Sequence, residues 1–196
     1  DTRINFLDAP GYGIFAPEAR AAVYTADAVI IVLDAVSGVE VQTERVWKNA
    51  AEFGRPVMFV VNRMDRDRAS FDRVVEGLQK KFGRGVIALQ IPVGEEKAFR
   101  GTVDLVRMEA HIHEGGKRVD GPIPDELAER AKAEHERLVE TVAEGEDDLM
   151  EKFFAQGTLD AVDIVPGLKK EIAARKLFPV FCAASSLGIG TLRILD

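Results

Sequence analysis

Apolar and polar positions fall along this chain in blocks that read alternately as strands and helices. Ile4–Leu7 is a short apolar run ending at Asp8, and Val29–Leu33 is a continuous branched run, the pattern of a strand covered on both faces. Val57–Val61 reads as the next buried strand and Phe178–Cys182 as one more strand. Between them, Pro17 to Ala26 is rich in Ala, with Pro placed where the first turn of a helix tolerates it. Val41 to Phe53 has helical apolar spacing and stops at Gly54, which suits a helix C-terminus. Ser70 is placed to cap a helix that runs through Phe82 and closes at Gly83. Such alternation predicts an α/β fold, a doubly wound and mainly parallel sheet with helices on both faces. Ligands of such sheets bind beyond the carboxyl ends of the strands.

The stretch from Val86 to Phe154 interrupts the alternation and reads as a small α+β insert. The domain reading is therefore 1–85 for the first part of the main domain, 86–154 for the insert, and 155–196 for the return. Ala98–Ile112 is β-prone with a turn at Gly101, and Gly115-Gly116 marks a second reversal, so an antiparallel unit is expected. Pro124 to Glu144 carries Leu127, Ala131, Leu138 and Val142 at helical spacing, which predicts a long amphipathic helix. Asp147 and Asp148 stand where acidic groups favour a helix start. A further helix is expected from Pro166 to Arg175, and Thr191–Asp196 reads as the beginning of a closing one.

Composition narrows the class. A chain of 196 residues, 46% of them hydrophobic, is long enough to bury a real core. No run of about 18 apolar residues occurs, so no membrane helix is expected. A formal net charge of −7 argues against a general nucleic-acid-coating surface, and no DNA partner is expected. Cys182 is the one cysteine and lies in an apolar strand, which reads as a reduced core thiol of a cytoplasmic protein. His111 and His113 fall on one face of a strand, a spacing that serves zinc, but a third ligand is missing and they read as exposed hairpin histidines.

Two turns carry the chemistry. Asp8-Ala9-Pro10-Gly11 suits a γ-phosphate sensor, because Gly lets a backbone N–H approach an anion closely. Asn62-Arg63-Met64-Asp65 suits guanine: the Asp carboxylate accepts both N–H donors of the base edge, while Asn braces the neighbouring loop. Either turn alone is common. In this order, each after an apolar strand, they read as a guanine-nucleotide protein.

These motifs, with Gln90-Ile-Pro-Val-Gly-Glu and Phe99-Arg-Gly-Thr-Val-Asp-Leu-Val-Arg-Met, resemble bacterial elongation factor G over essentially the whole chain. The insert beginning near Gln90 is similar to the extra subdomain of that family. The resemblance implies a P-loop-GTPase-type fold and a GTPase (GTP hydrolase) that binds GTP/GDP and Mg2+ and acts on the ribosome in translocation or recycling. It implies that Asp8 holds the metal through water, that Gly11 meets the γ-phosphate, and that Asn62 and Asp65 bind guanine. Arg63 stands where the family usually has Lys, and Ala184-Ser185 stand where it has Ser-Ala. Tyr12 stands where it has the His that positions the attacking water, which implies a divergent branch with slow or differently organised hydrolysis. The alternative is a GTP-responsive ribosome-binding regulator with little hydrolysis. The insert is expected to meet the ribosomal stalk protein, with Glu129, Glu136 and Glu140 as candidates. No Gly-x-x-x-x-Gly-Lys-(Ser/Thr) occurs, so the chain is expected to be a piece of a larger protein that does not hydrolyse GTP by itself.

Overall fold

The computed structural model describes residues 3–194. Four parallel strands, β1 (Val29–Asp34), β2 (Val57–Asn62), β3 (Val86–Ala88) and β8 (Phe178–Cys182), form the main sheet in the order β1-β2-β8-β3. Helices α1 (Ala16–Thr25), α2 (Val41–Glu52) and α3 (Phe71–Phe82) follow the predicted spacing. Ser70 accepts the Arg73 N–H at the start of α3, and Gly83 ends it with a φ of 97°. Alternate residues of β1 and β2 bury Ile31, Leu33, Phe59 and Val61 against Trp47, Val74 and Leu78 of α2 and α3.

A second sheet, β4 (Gln90–Val93), β5 (Gly101–Asp104), β6 (Glu109–Glu114) and β7 (Lys117–Gly121), is antiparallel in chain order. It packs with α4 (Asp125–Ala143) and α6 (Ala161–Ala173) around Ile91, Val103, Leu138, Val142, Ile164 and Leu168, while α5 (Asp147–Gln156) joins the rim. The two sheets meet at Leu89, whose N–H donates to Val180 O of β8 and whose carbonyl accepts from Leu105 N.

Several expectations are corrected. Ile4–Leu7 forms no strand; the run is exposed and pairs with no strand among the described residues. An apolar run becomes a strand only where a partner's backbone groups meet its own. β1 is covered on one face only, with Ile30 38% and Val32 61% exposed, because α4, α6 and the second sheet gather around β3 and β8. Val86–Ala88, assigned to the insert from sequence, pairs in parallel with β8. Gly101 lies within β5 rather than at a turn. A Cβ there would stand 2.3 Å from His111 O, so the two strands approach too closely for any side chain. The reversal is at 105–108, with Met108 at a φ of 56°.

The helix expected from Pro166 begins at Ala161, with Pro166 inside it. Proline there removes one helical hydrogen bond, and burial of Ile164 and Leu168 on the same helix offsets that cost. Of the closing helix, the described part is a single 3-10 turn, Leu192–Ile194; positions 195 and 196 lie outside the described residues.

Candidate functional site

Parallel register sets the carboxyl ends of three strands side by side. Asp34 at the end of β1 is the register partner of Asn62 at the end of β2, and Val61 is that of Cys182 in β8. The loops leaving these ends are tied together. Asn62 Nδ2 donates to Ser185 Oγ at 2.9 Å, and Ser185 N donates back to Asn62 Oδ1 at 3.0 Å. Met64 N donates to Ala183 O at 3.1 Å, and the Met64 side chain is buried beneath the loop. Asn62 therefore braces the loop after β8, the role its residue type suggested.

Arg63 has a φ of 63°, a left-handed conformation that ordinary side chains adopt at a cost. Two positions on, Asp65 is half-buried. Among the described residues, the buried side-chain polar atoms without a hydrogen-bond partner are Arg55 Nε and Asp65 Oδ1. Leaving a buried acceptor unmatched costs about 1–3 kcal/mol, so each orphan departs from the usual pairing of buried polar atoms. A half-buried carboxylate is an acceptor of the kind that a purine edge with N–H donors fits, whereas an edge presenting acceptors would not match it.

The loop after β8 is itself fixed. Ala184 and Ile189 exchange two backbone hydrogen bonds, and Gly190 lets this turn lie against Cys182, where a Cβ would stand 2.3 Å from the carbonyl oxygen. Ala184 is buried and Ser185 exposed, so Ser185 is the member of the pair that faces outward. Burial pushes the Cys182 thiol well above its usual range, consistent with an inert core thiol.

The structure thus gathers Asn62, Arg63, Met64, Asp65, Ala184 and Ser185. It does not draw Asp8, Ala9, Pro10, Gly11 and Tyr12 into that hydrogen-bonded set. Asp8, Pro10 and Gly11 are exposed outside any strand, and Tyr12 is 78% exposed ahead of the 3-10 turn Gly13–Phe15. That turn rests on α2, since a Cβ on Gly13 would lie 2.6 Å from Gln42 Nε2.

Asp34 is a candidate that sequence reading missed. Its Oδ1 accepts from Val36 N at 2.7 Å and Ser37 N at 3.2 Å, and its Oδ2 pairs with Arg63 at 3.0 Å. Burial pushes this carboxyl up, but the two N–H donors and the Arg63 guanidinium together hold it below the usual carboxylate range. The sequence showed only an Asp closing an apolar strand; its register with Asn62 is a structural finding.

The histidine pair is also corrected. His111 is only 3% exposed, with Nδ1 at 2.7 Å from Asp120 Oδ1, so it is no exposed hairpin histidine. Its ring converges with Asp104 and Glu109 to within 4.8 Å rather than with His113. Arg107 and Arg118 pair with the acids on that face. The Arg118 hydrogen bond first, then that of His111, holds the Asp120 carboxyl far below its ordinary range.

No helix is long and apolar enough to cross a membrane among the described residues. In comparisons with known proteins, residues 1–196 match the family described as the elongation factor Tu GTP binding domain. The chain is also similar to a protein of Thermus thermophilus known from its crystal structure, with 29% identity and a TM-score of 0.88. That match covers 96% of this chain and 28% of the other, so the chain spans less than a third of that protein's length. Matched from end to end, and folded as a parallel sheet with a separate antiparallel subdomain, the chain belongs to the elongation factor Tu GTP binding domain family.

Proposed function

We propose that this chain is the guanine-reading part of an elongation-factor-G-like GTPase that works on the ribosome in translocation or recycling. The observation that carries the guanine reading is the orphan Asp65 Oδ1 beside the reciprocal Asn62–Ser185 bonds. Family membership supports binding of GTP and GDP with Mg2+. The guanine end fits the residues present, because a buried acceptor awaits donors and its loop is braced from two sides. For the metal, Mg2+ is ordinarily held by one or two carboxylates together with phosphates, so Asp8 alone suffices in number.

The assignment to an elongation-factor-G-like branch rests on the Gln90–Met108 stretch, which supplies β4, β5 and the turn after them. In this reading the exposed Glu129, Glu136 and Glu140 of α4 face the ribosomal stalk protein, and the protein is cytoplasmic.

The chemistry required of the site is positioning. Phosphoryl transfer draws most of its acceleration from alignment and electrostatic stabilisation, and GTP itself with its bound metal supplies the reacting phosphate. The residues of this chain hold the base: Asp65 takes the N–H edge, Asn62 fixes the loop after β8, and Met64 anchors the loop in the core. Tyr12 has a hydroxyl in place of an imidazole and so cannot carry a positive charge near the attacking water. This favours the second reading, a GTP-responsive ribosome-binding regulator with little hydrolysis.

Ribosome-stimulated GTP hydrolysis by the protein at its natural length separates the two. Tyr12→His is expected to raise the stimulated rate by about 10²-fold or more, the lower range for a positioned acid–base group. A stimulated rate already equal to that of a His-bearing factor, and unmoved by Tyr12→Phe, contradicts the role given to this position.

A further inference from the structure

We infer that Asp34 is a positioning residue for nucleotide selection, holding the Asn62–Asp65 loop in its binding shape through Arg63; this rests on the guanine reading of that loop. Arg63 takes a left-handed backbone two positions before Asp65, and a non-glycine residue stays in that region where its surroundings hold it. Three contacts do so here. Met64 N is bound to Ala183 O on one side, Arg66 N donates to Arg63 O at 3.1 Å behind, and the guanidinium is drawn to Asp34 Oδ2 at 3.0 Å in front.

Asp34 is well built to act as the fixed end. Its other oxygen is held by Val36 N and Ser37 N, so the carboxylate cannot swing to follow the arginine. The backbone beneath is tied as well: Ala35 N donates to Asn62 O, and Ser70 N donates to Ala35 O. Arg73 adds bonds to Ala35 O and Val36 O. The arrangement anchors a long, 60% exposed arginine to a carboxylate that is only 24% exposed. Asp34, Arg63, Met64 and Ala183 thereby link the ends of β1, β2 and β8, and Asn62–Ser185 doubles the second of those links. Asp65 Oδ1 takes no part in this frame.

The test is a double-mutant cycle on GDP affinity in the protein at its natural length, with Asp34→Asn, Arg63→Gln and both together. Asparagine keeps an oxygen for the Val36 and Ser37 N–H groups, so the turn survives while the charge is lost. Each single variant is expected to bind GDP about three- to fivefold more weakly at low salt, the range of a partly exposed ion pair. The double variant should be no weaker than either single one, because both remove the same tie. In roughly 1 M salt, where screening acts over about 3 Å, the difference from wild type should fall below about twofold. A purely structural role for Asp34 moves the thermal midpoint without that salt dependence or that lack of additivity.

An Asp34→Asn variant indistinguishable from wild type, or effects that multiply in the double variant, overturns the proposal. Asp65→Asn is measured alongside. If it loses GDP while Asp34→Asn does not, the guanine reading stands and only the positioning role fails; if Asp65→Asn keeps full GDP affinity, both are overturned.

Discussion

Asp65→Asn is expected to weaken GDP binding by about 10- to 150-fold and to make xanthosine diphosphate the better ligand. The reason lies in one atom: Asp65 Oδ1 is buried and has no hydrogen-bond partner within the protein. Guanine presents N–H donors on its edge, and a hydrogen bond to a charged acceptor contributes about 1.5–3 kcal/mol, which converts to that range of affinity. The amide of asparagine places a donor where guanine also has one, and the two repel. Xanthine carries an oxygen at that point and accepts from the new N–H₂ group. The substitution is nearly isosteric, so the fold should be unaffected. Equal GDP affinity in mutant and wild type, measured with the protein at its natural length, would remove Asp65 from the site.

Phe59→Ala should cost about 3–5 kcal/mol of folding stability, the range for truncating a core aromatic. Phe59 is fully buried on β2, with ring centroids 5.8 Å from Trp47 and 5.7 Å from Phe82. Trp47 also meets Phe178 edge-on at 4.5 Å, so this aromatic group joins α2, α3, β2 and β8. The same strand ends at Asn62 three residues later, so loosening its middle should also unsettle the Asn62–Asp65 loop. Folding free energies of about 5–15 kcal/mol leave little margin for such a loss. Urea denaturation measures it directly. Phe154→Ala, at a residue left exposed on α5, is the control and should stay within about 0.5 kcal/mol of wild type. A loss below about 1 kcal/mol for Phe59→Ala contradicts the packing described.

Much of this fold was legible in the order of residues. The spacing of Val41–Phe53, the Ser70 cap and the apolar runs of β1, β2 and β8 each specify their element locally, and the structure agrees. The same holds for α4, whose buried Ala131, Leu138 and Val142 lie on the expected stripe. What was not legible depends on partners distant in sequence. Ile4–Leu7 has the composition of a strand but no neighbour to pair with among the described residues, and composition does not carry that information. Val86–Ala88 is too short to be told apart from the β4 residues that follow it. It joins the main sheet because β8 arrives about ninety residues later in the chain. His111 looked exposed because its burial is created by Asp120 and Arg118 on the next strand.

The site divides in the same way. Asn62 and Asp65 could be proposed from their motif, since the chemistry invoked is particular to those side chains, and the structure shows the Asn62–Ser185 bonds. Asp34 could not, because an Asp at a strand end is ordinary until the arginine that leans on it is seen. The Asp8–Tyr12 turn carries the phosphate chemistry in the family resemblance, yet it stands apart from the hydrogen-bonded frame around Asn62. Base recognition is thus the part of the proposed function on which this chain's own geometry bears most.

Competition between GDP and ADP for the protein at its natural length tests that claim most directly. Adenine offers Asp65 no pair of N–H donors, and a site built to bond such donors rejects a base lacking them by a large factor. GDP is expected to be preferred over ADP by about 10³-fold or more. Equal affinity for the two would contradict the assignment of Asp65, Asn62 and Ser185 as a guanine site.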